Sequence, residues 1–106
     1  MTTYQVIISE TALDAIHDQT RYIAIDRQSP DSAARWLNRV LHATETLREM
    51  PQRCNLALEN AYRPYEIRTL SVASFVLLFT IDEEEKNVVV VSARHSKRLP
   101  RLDDLP

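Results

Sequence analysis

Seven side chains hold most of the chemistry that this sequence can offer. Arg63 and Arg68 fall in one extended run, and Arg94, His95, Lys97, Arg98 and Arg101 crowd the end of another, inside "VVVVSARHSKRLPR" at 88–101. Arginine forks match the oxygens of phosphates and carboxylates, and a histidine titrating near neutrality among them can move a proton in phosphodiester chemistry. If the two runs pair within one sheet, these groups gather on a single rim. The plain alternative is a scatter of surface cations that balances the acidic residues, and composition leaves the two readings level.

Other titratable residues offer less. Asp14/Asp18 and Glu45/Glu49 are carboxylate pairs one helical turn apart, with His42 on the same side as Glu45. That spacing suits a metal, but no further ligand stands near, so solvated helix faces are the plainer reading. His17 reads as surface too. "DEEEK" at 82–86 reads as a solvated hairpin tip that discourages edge pairing. Cys54 is the sole cysteine; with no His or Asp in its own loop it reads as inert, and neither a disulfide nor a zinc site is expected.

The whole chain sets limits on these groups. Its 106 residues fit one domain, and 44% apolar with 26% charged residues is ordinary globular composition. The formal charge of −2 argues against a protein that grips nucleic acid over its whole surface. No direct sequence-specific DNA binding by this chain alone is expected. Glycine is absent, which excludes a dinucleotide fingerprint and a phosphate-cradling loop, so no cofactor is expected either. The longest apolar run is too short to cross a bilayer, and the opening residues lack signal-peptide character; the expected location is the cytoplasm.

The elements that must carry the basic groups follow from pattern. "YQVII" at 4–8 reads as a strand. Ser9 or Thr11 can cap a helix over about 10–25, with Leu13, Ile16, Thr20 and Ile23 as its apolar stripe. Ser29-Pro30-Asp31 opens a second helix with a cap, a first-turn proline and an acid near the positive end of its dipole. Ala33, Leu37, Val40, Thr44 and Leu47 form its stripe, Trp36 and Leu41 widen it, and Met50-Pro51 ends it. Three strand-like runs follow: "YRPYEIRTL" at 62–70, "SFVLLFTI" at 74–81 and "NVVVVSA" at 87–93. The last two are apolar on both faces, so one face packs the helices and the other needs a terminal segment or a partner to cover it. The expected fold is α+β, a two-layer β-α-α-β-β-β domain with a helical hairpin on a mainly antiparallel sheet.

Read in order, several short patterns resemble those of the ParE/RelE superfamily of bacterial type II toxins. They are Y-x-V at Tyr4, S-E-x-A-L at Ser9, P-x-x-A at Pro30, L-x-x-x-P at Leu47, I-R-x-L-x-V at Ile67 and R-H-x-x-R at Arg94. The resemblance spans nearly the whole chain. It implies the fold just deduced and a growth-arresting toxin of the plasmid-stabilisation kind, silenced by a cognate antitoxin wrapped over its surface. The superfamily divides into ribosome-dependent mRNA endonucleases of RelE type and DNA gyrase inhibitors of ParE type. RelE-type toxins are matched at Arg68 and Arg94, but they add lysines before the second strand and a tyrosine near the C-terminus. This chain has no lysine between residues 51 and 85, and Leu99, Pro100 and Arg101 occupy the tyrosine's region. His95 alone could replace the missing proton-transfer group, so a nuclease would rest on His95, Arg68 and Arg94, acting on mRNA in the translating ribosome. The ParE branch closes on H-G-x-R, which "HSKR" at 95–98 approaches with Ser96 in the glycine's place. The resemblance therefore favours a non-enzymatic gyrase poison, with Arg63, Arg68, Arg94, His95, Lys97, Arg98 and Arg101 as its target-binding or antitoxin-binding edge; the alternatives are the RelE-type nuclease and an inactive relative that only binds its antitoxin.

Overall fold

A computed structural model describes residues 3–57 and 65–96. In chain order they form strand β1 (Gln5–Ile8), helix α1 (Glu10–Arg21), a π-helical turn (Tyr22–Asp26), helix α2 (Pro30–Thr46), a 3-10 turn (Pro51–Arg53), and strands β2 (Arg68–Val72), β3 (Phe75–Asp82) and β4 (Asn87–His95). The four strands make one sheet in the order β1-β4-β3-β2, antiparallel except where β1 runs parallel to β4. The α+β architecture expected from pattern is the one observed, a helical layer on a mostly antiparallel sheet.

Local chemistry explains where the helices start and which faces they bury. The Ser9 hydroxyl accepts the Ala12 amide at 3.2 Å, capping α1, and itself donates to the Val91 carbonyl at 3.0 Å, which ties the helix start to the sheet. α2 begins at Pro30 as expected, but Ser29 does not cap it. Its hydroxyl donates to Ser32 Oγ instead, at 2.7 Å. The expected stripes need two corrections. Leu13 and Leu41 are exposed, while Ala12 and Ile16 of α1 and Trp36 of α2 turn inward. α1 presents the edge formed by Ala12 and Ile16 to the sheet, so a leucine one position further round the helix points to solvent. The π turn then widens the helix by one residue, keeping Ile23 buried and leaving Tyr22 and Ile25 outside.

The sheet is apolar on both faces and each face has its own cluster. Phe75, Leu77, Phe79, Val88, Val90 and Ala93 pack against the helices, whereas Val76, Leu78 and Val91 pack on the far side with Ala57 and Ile67. The cover of that second face, expected from a terminal segment or a partner, comes in the described residues from the stretch between α2 and β2. β2 also starts later than its run predicted: Tyr65–Ile67 are not strand, because Ile67 turns under the sheet and its carbonyl accepts the Ala57 amide at 2.7 Å. Between β3 and β4 the register shifts at Leu78/Phe79, where Val91 is the extra residue of a bulge. Val91 and Ser92 therefore share one face, which decides where the next two side chains point.

Lacking glycine, the chain places four other residues at positive φ among those described: Gln28 (52°), Met50 (47°), Ala73 (54°) and Lys86 (55°). Each ends an element or turns a hairpin, positions where a left-handed residue is required and glycine is the usual choice.

Candidate functional site

The bulge sets the geometry at the end of β4. Ala93 lies in the helix-side cluster, so by alternation Arg94 leaves the far face, opposite Val76, and His95 returns to the helix side, opposite Phe75. The imidazole meets Phe75 edge to face, with ring centroids 5.9 Å apart, and Phe75 meets Trp36 in the same way at 5.4 Å. An aromatic row thus runs from the core of the helical layer out to His95, which is half-buried.

His95 opens onto a cleft of about 840 Å³ between α1 and the ends of β3 and β4. One wall is the α1 face carrying Asp14, Asp18 and Gln19, continued by Tyr22 of the π turn and by Arg27 just after it; the floor is Phe75. Asp18 is drawn to Arg21 at 3.9 Å, an exposed pair of small energetic weight. Tyr22 and Arg27 were not among the sequence candidates. The available signal was an aromatic residue beside polar ones where a helical stripe ends.

The basic set does not converge in the described residues. Strand register aligns Arg68 with Phe79 and then Val90, while Arg94 aligns with Val76 and then Ser71. Three residues along the strand and two strands across put Arg68 roughly 14 Å from Arg94, and on the opposite face of the sheet. The expectation of a single rim is therefore corrected for these residues. Arg63, Lys97, Arg98 and Arg101 lie outside the described residues. Arg68 has a different occupation: its guanidinium donates to the carbonyls of Cys54 (2.6 Å) and Gln52 (3.3 Å) and pairs with Glu66 (3.3 Å). It staples the 3-10 turn to the first residue of β2. Cys54, half-buried, accepts from Arg53 through its sulfur at 3.4 Å.

A second polar centre lies at the other end of the sheet. Gln52 donates to Tyr4 Oη at 2.6 Å and to Glu83 Oε1 at 2.7 Å; the Tyr4 hydroxyl donates to Glu83 Oε2 at 2.9 Å, and Lys86 reaches the same oxygen at 3.3 Å. Lys86 also sits 5.4 Å from the centre of the Tyr4 ring. The hydrogen bonds from Gln52 and Tyr4, with help from Lys86, hold the Glu83 carboxyl below its ordinary pKa. The "DEEEK" tip is thus exposed, as read from the sequence, yet one of its carboxylates clamps the hairpin to Tyr4, just before β1, and to the 3-10 turn. Asp82 Oδ1 shapes the tip by accepting the Glu84 and Glu85 amides, each at 3.1 Å.

Glu45 and Glu49 flank a shallower hollow beside His42, and Glu45 pairs with Arg48 at 3.4 Å. Among the described residues no three His, Cys, Asp or Glu side chains gather as a metal site would require, and no helix is long and apolar enough to cross a membrane.

Residues 6–100 match the family model described as the ParE toxin of the type II toxin-antitoxin system parDE. No curated protein matches the sequence. Among solved structures, the chain is similar to one in the toxin-antitoxin complex RelBE2 from Mycobacterium tuberculosis, with a TM-score of 0.61 and 22% identity over 90% of this chain and 93% of that one. A chain of the chromosomal ParDE system from P. aeruginosa gives a TM-score of 0.66 with 17% identity, covering 92% of this chain and all (100%) of that one. A chain of the archaeal RelE-RelB complex from Pyrococcus horikoshii gives 0.61 with 13% identity over 93% and 100%. At these identities the likeness is one of fold.

Proposed function

The chain belongs to the ParE toxin family of type II toxin-antitoxin systems, and from that premise we propose that it inhibits DNA gyrase by recognition rather than catalysis and is silenced by a cognate antitoxin. The observation that carries this reading is the separation of the groups a nuclease would need. Arg68 is committed to the carbonyls of Gln52 and Cys54, and Arg94 leaves the opposite face of the sheet from both Arg68 and His95. In-line attack on a phosphodiester needs a proton-transfer group and charge stabilisation within hydrogen-bond reach of one another. Recognition has no such requirement: Arg94 and His95 are followed in sequence by Lys97, Arg98 and Arg101, a basic run suited to a protein surface. The similar structures were solved as toxin-antitoxin complexes, and a cognate antitoxin is accordingly the first partner assigned to this chain.

Purified protein assayed in parallel on gyrase supercoiling and on translated mRNA tests the proposal. Supercoiling should fall, messages should stay whole, and the inhibition should weaken when Arg94, Lys97, Arg98 and Arg101 are neutralised together. Codon-positioned cuts in translated messages with gyrase untouched would overturn it and return His95, Arg68 and Arg94 to an active site.

A further inference from the structure

The π turn places two residues where an α-helix would not. The Arg27 amide donates to the Tyr22 carbonyl at 3.1 Å, five residues back. At 3.6 residues per turn, positions five apart lie about 140° from each other around the axis, on different sides of a helix. The wider winding of an i→i+5 bond closes that angle, so Tyr22 and Arg27 both reach the cleft beside His95. Gln28, at a φ of 52°, then ends the turn, and its amide returns to the Ile25 carbonyl at 3.2 Å. Backbone of this kind is rare and is found frequently at functional sites. Ile23 stays buried beneath it, while Tyr22 is 48% and Ile25 64% exposed, so the turn carries large side chains outward without opening the core.

We infer that Tyr22 and Arg27 anchor the gyrase contact, and that the cleft they edge receives an acidic loop of gyrase carrying an apolar side chain. This inference rests on the gyrase reading above and locates its contact. The cleft, about 840 Å³, falls within the span of roughly 300–1,000 Å³ that encloses ligand-sized groups. Phe75 offers the incoming side chain an apolar seat, and tyrosine and arginine are the residue types that dominate binding energy at such partly enclosed positions. Charge selects the partner. Arg27 lines the cleft, and Lys97, Arg98 and Arg101 follow Ser96 so closely that none lies more than about 18 Å from it. Against these four cations stand Asp14 and Asp18, the latter drawn to Arg21. The local surplus is positive in a chain of net charge −2, and it favours an acidic segment. A second copy of the chain is the poorer occupant, because it brings the same cations to the contact.

The experiment compares the full chain and its variants in gyrase supercoiling and in direct binding to gyrase at low and at physiological salt. Tyr22→Ala should raise the concentration needed for half-inhibition by about tenfold or more and keep the salt dependence of binding. Arg27→Glu should weaken inhibition as much and flatten the salt dependence, since it removes a cation that the partner's carboxylates meet. Leu41→Ala, which truncates a similarly exposed apolar side chain on α2, should change neither. Urea melts of the variants, and their binding to the protein encoded by the adjacent reading frame, should match the parent's. Unchanged inhibition by folded Tyr22→Ala and Arg27→Glu would overturn the placement and leave the gyrase reading standing. An equal loss of binding to the adjacent-frame protein would overturn it too, giving the cleft to the antitoxin. A parent protein that leaves supercoiling intact would instead remove the reading beneath it.

Discussion

Trp36 gives the sharpest test of the packing argument, because two substitutions at this one site should behave in opposite ways. The indole is 7% exposed, sits edge to face with Phe75, and its Nε1–H has no hydrogen-bond partner among the described residues. Trp36→Ala removes the ring and leaves a cavity between α2 and the sheet, at a cost of about 3–5 kcal/mol. A domain of this size has roughly 5–15 kcal/mol in total, so that variant should be marginal. Trp36→Phe keeps most of the edge contact. It gives up some apolar area, about 1 kcal/mol at ~25 cal/mol per Å² for roughly 40 Å², but also removes a buried donor whose lost hydration costs about 1–3 kcal/mol. Its stability should therefore lie within about 1 kcal/mol of the parent, or above it. Trp36 is the only tryptophan, so unfolding in urea should be followed by far-UV circular dichroism rather than fluorescence. A phenylalanine variant losing 3 kcal/mol or more would refute the reasoning, since it would mean that the indole N–H contributes a satisfied interaction. An alanine variant losing under 1 kcal/mol would refute the burial itself.

The other expectations concern single contacts. Because the Glu83 pKa is lowered in the fold, its contribution is fully present above the ordinary carboxylate value and is lost as pH falls through the folded one; urea midpoints from pH 7 to pH 3 should decline less for Glu83→Gln than for the parent. Arg68→Ala releases the carbonyls of Gln52 and Cys54 and should cost about 1–3 kcal/mol in urea melts, whereas it should not reduce gyrase inhibition in protein that remains folded. Ala73→Gly should be neutral or slightly stabilising, by no more than about 0.5 kcal/mol, and Ala73→Val destabilising by over ~1 kcal/mol, because a β-branched residue tolerates φ of 54° poorly.

Much of the fold was legible because its signals are local. Ser9, Pro30 and the change from helical to alternating apolar spacing mark element boundaries within a few residues of themselves. What failed has a common cause. "VVVV" is apolar at every position, so nothing in it discloses that Val91 is an extra residue, and without the bulge the facing of Arg94 and His95 cannot be assigned. The misplacement of Leu13 and Leu41 arose because a stripe gives a helix face to within one residue, and only the partner layer decides which edge goes in. Arg68 looked like a ligand-binding cation because its true partners, main-chain carbonyls 14 and 16 positions away, leave no trace in residue type. The Tyr4–Gln52–Glu83 clamp joins three segments distant in sequence, up to 79 positions apart, and was invisible for the same reason.

The place of β4 in the sheet has a consequence for biosynthesis. Among the described strands, the one made last lies between β3 and the one made first; Ser9 and its partner Val91 are 82 positions apart. At a synthesis rate of about 10 residues per second, β1 waits roughly 8 seconds for the strand that will hold it. The helical hairpin is complete long before, since its contacts are local, but the sheet cannot be. Through that interval "QVII" lacks its β4 partner, and His95 has not yet been placed against Phe75. A nascent chain is thus without its assembled β4 end until β4 itself has emerged from the ribosome.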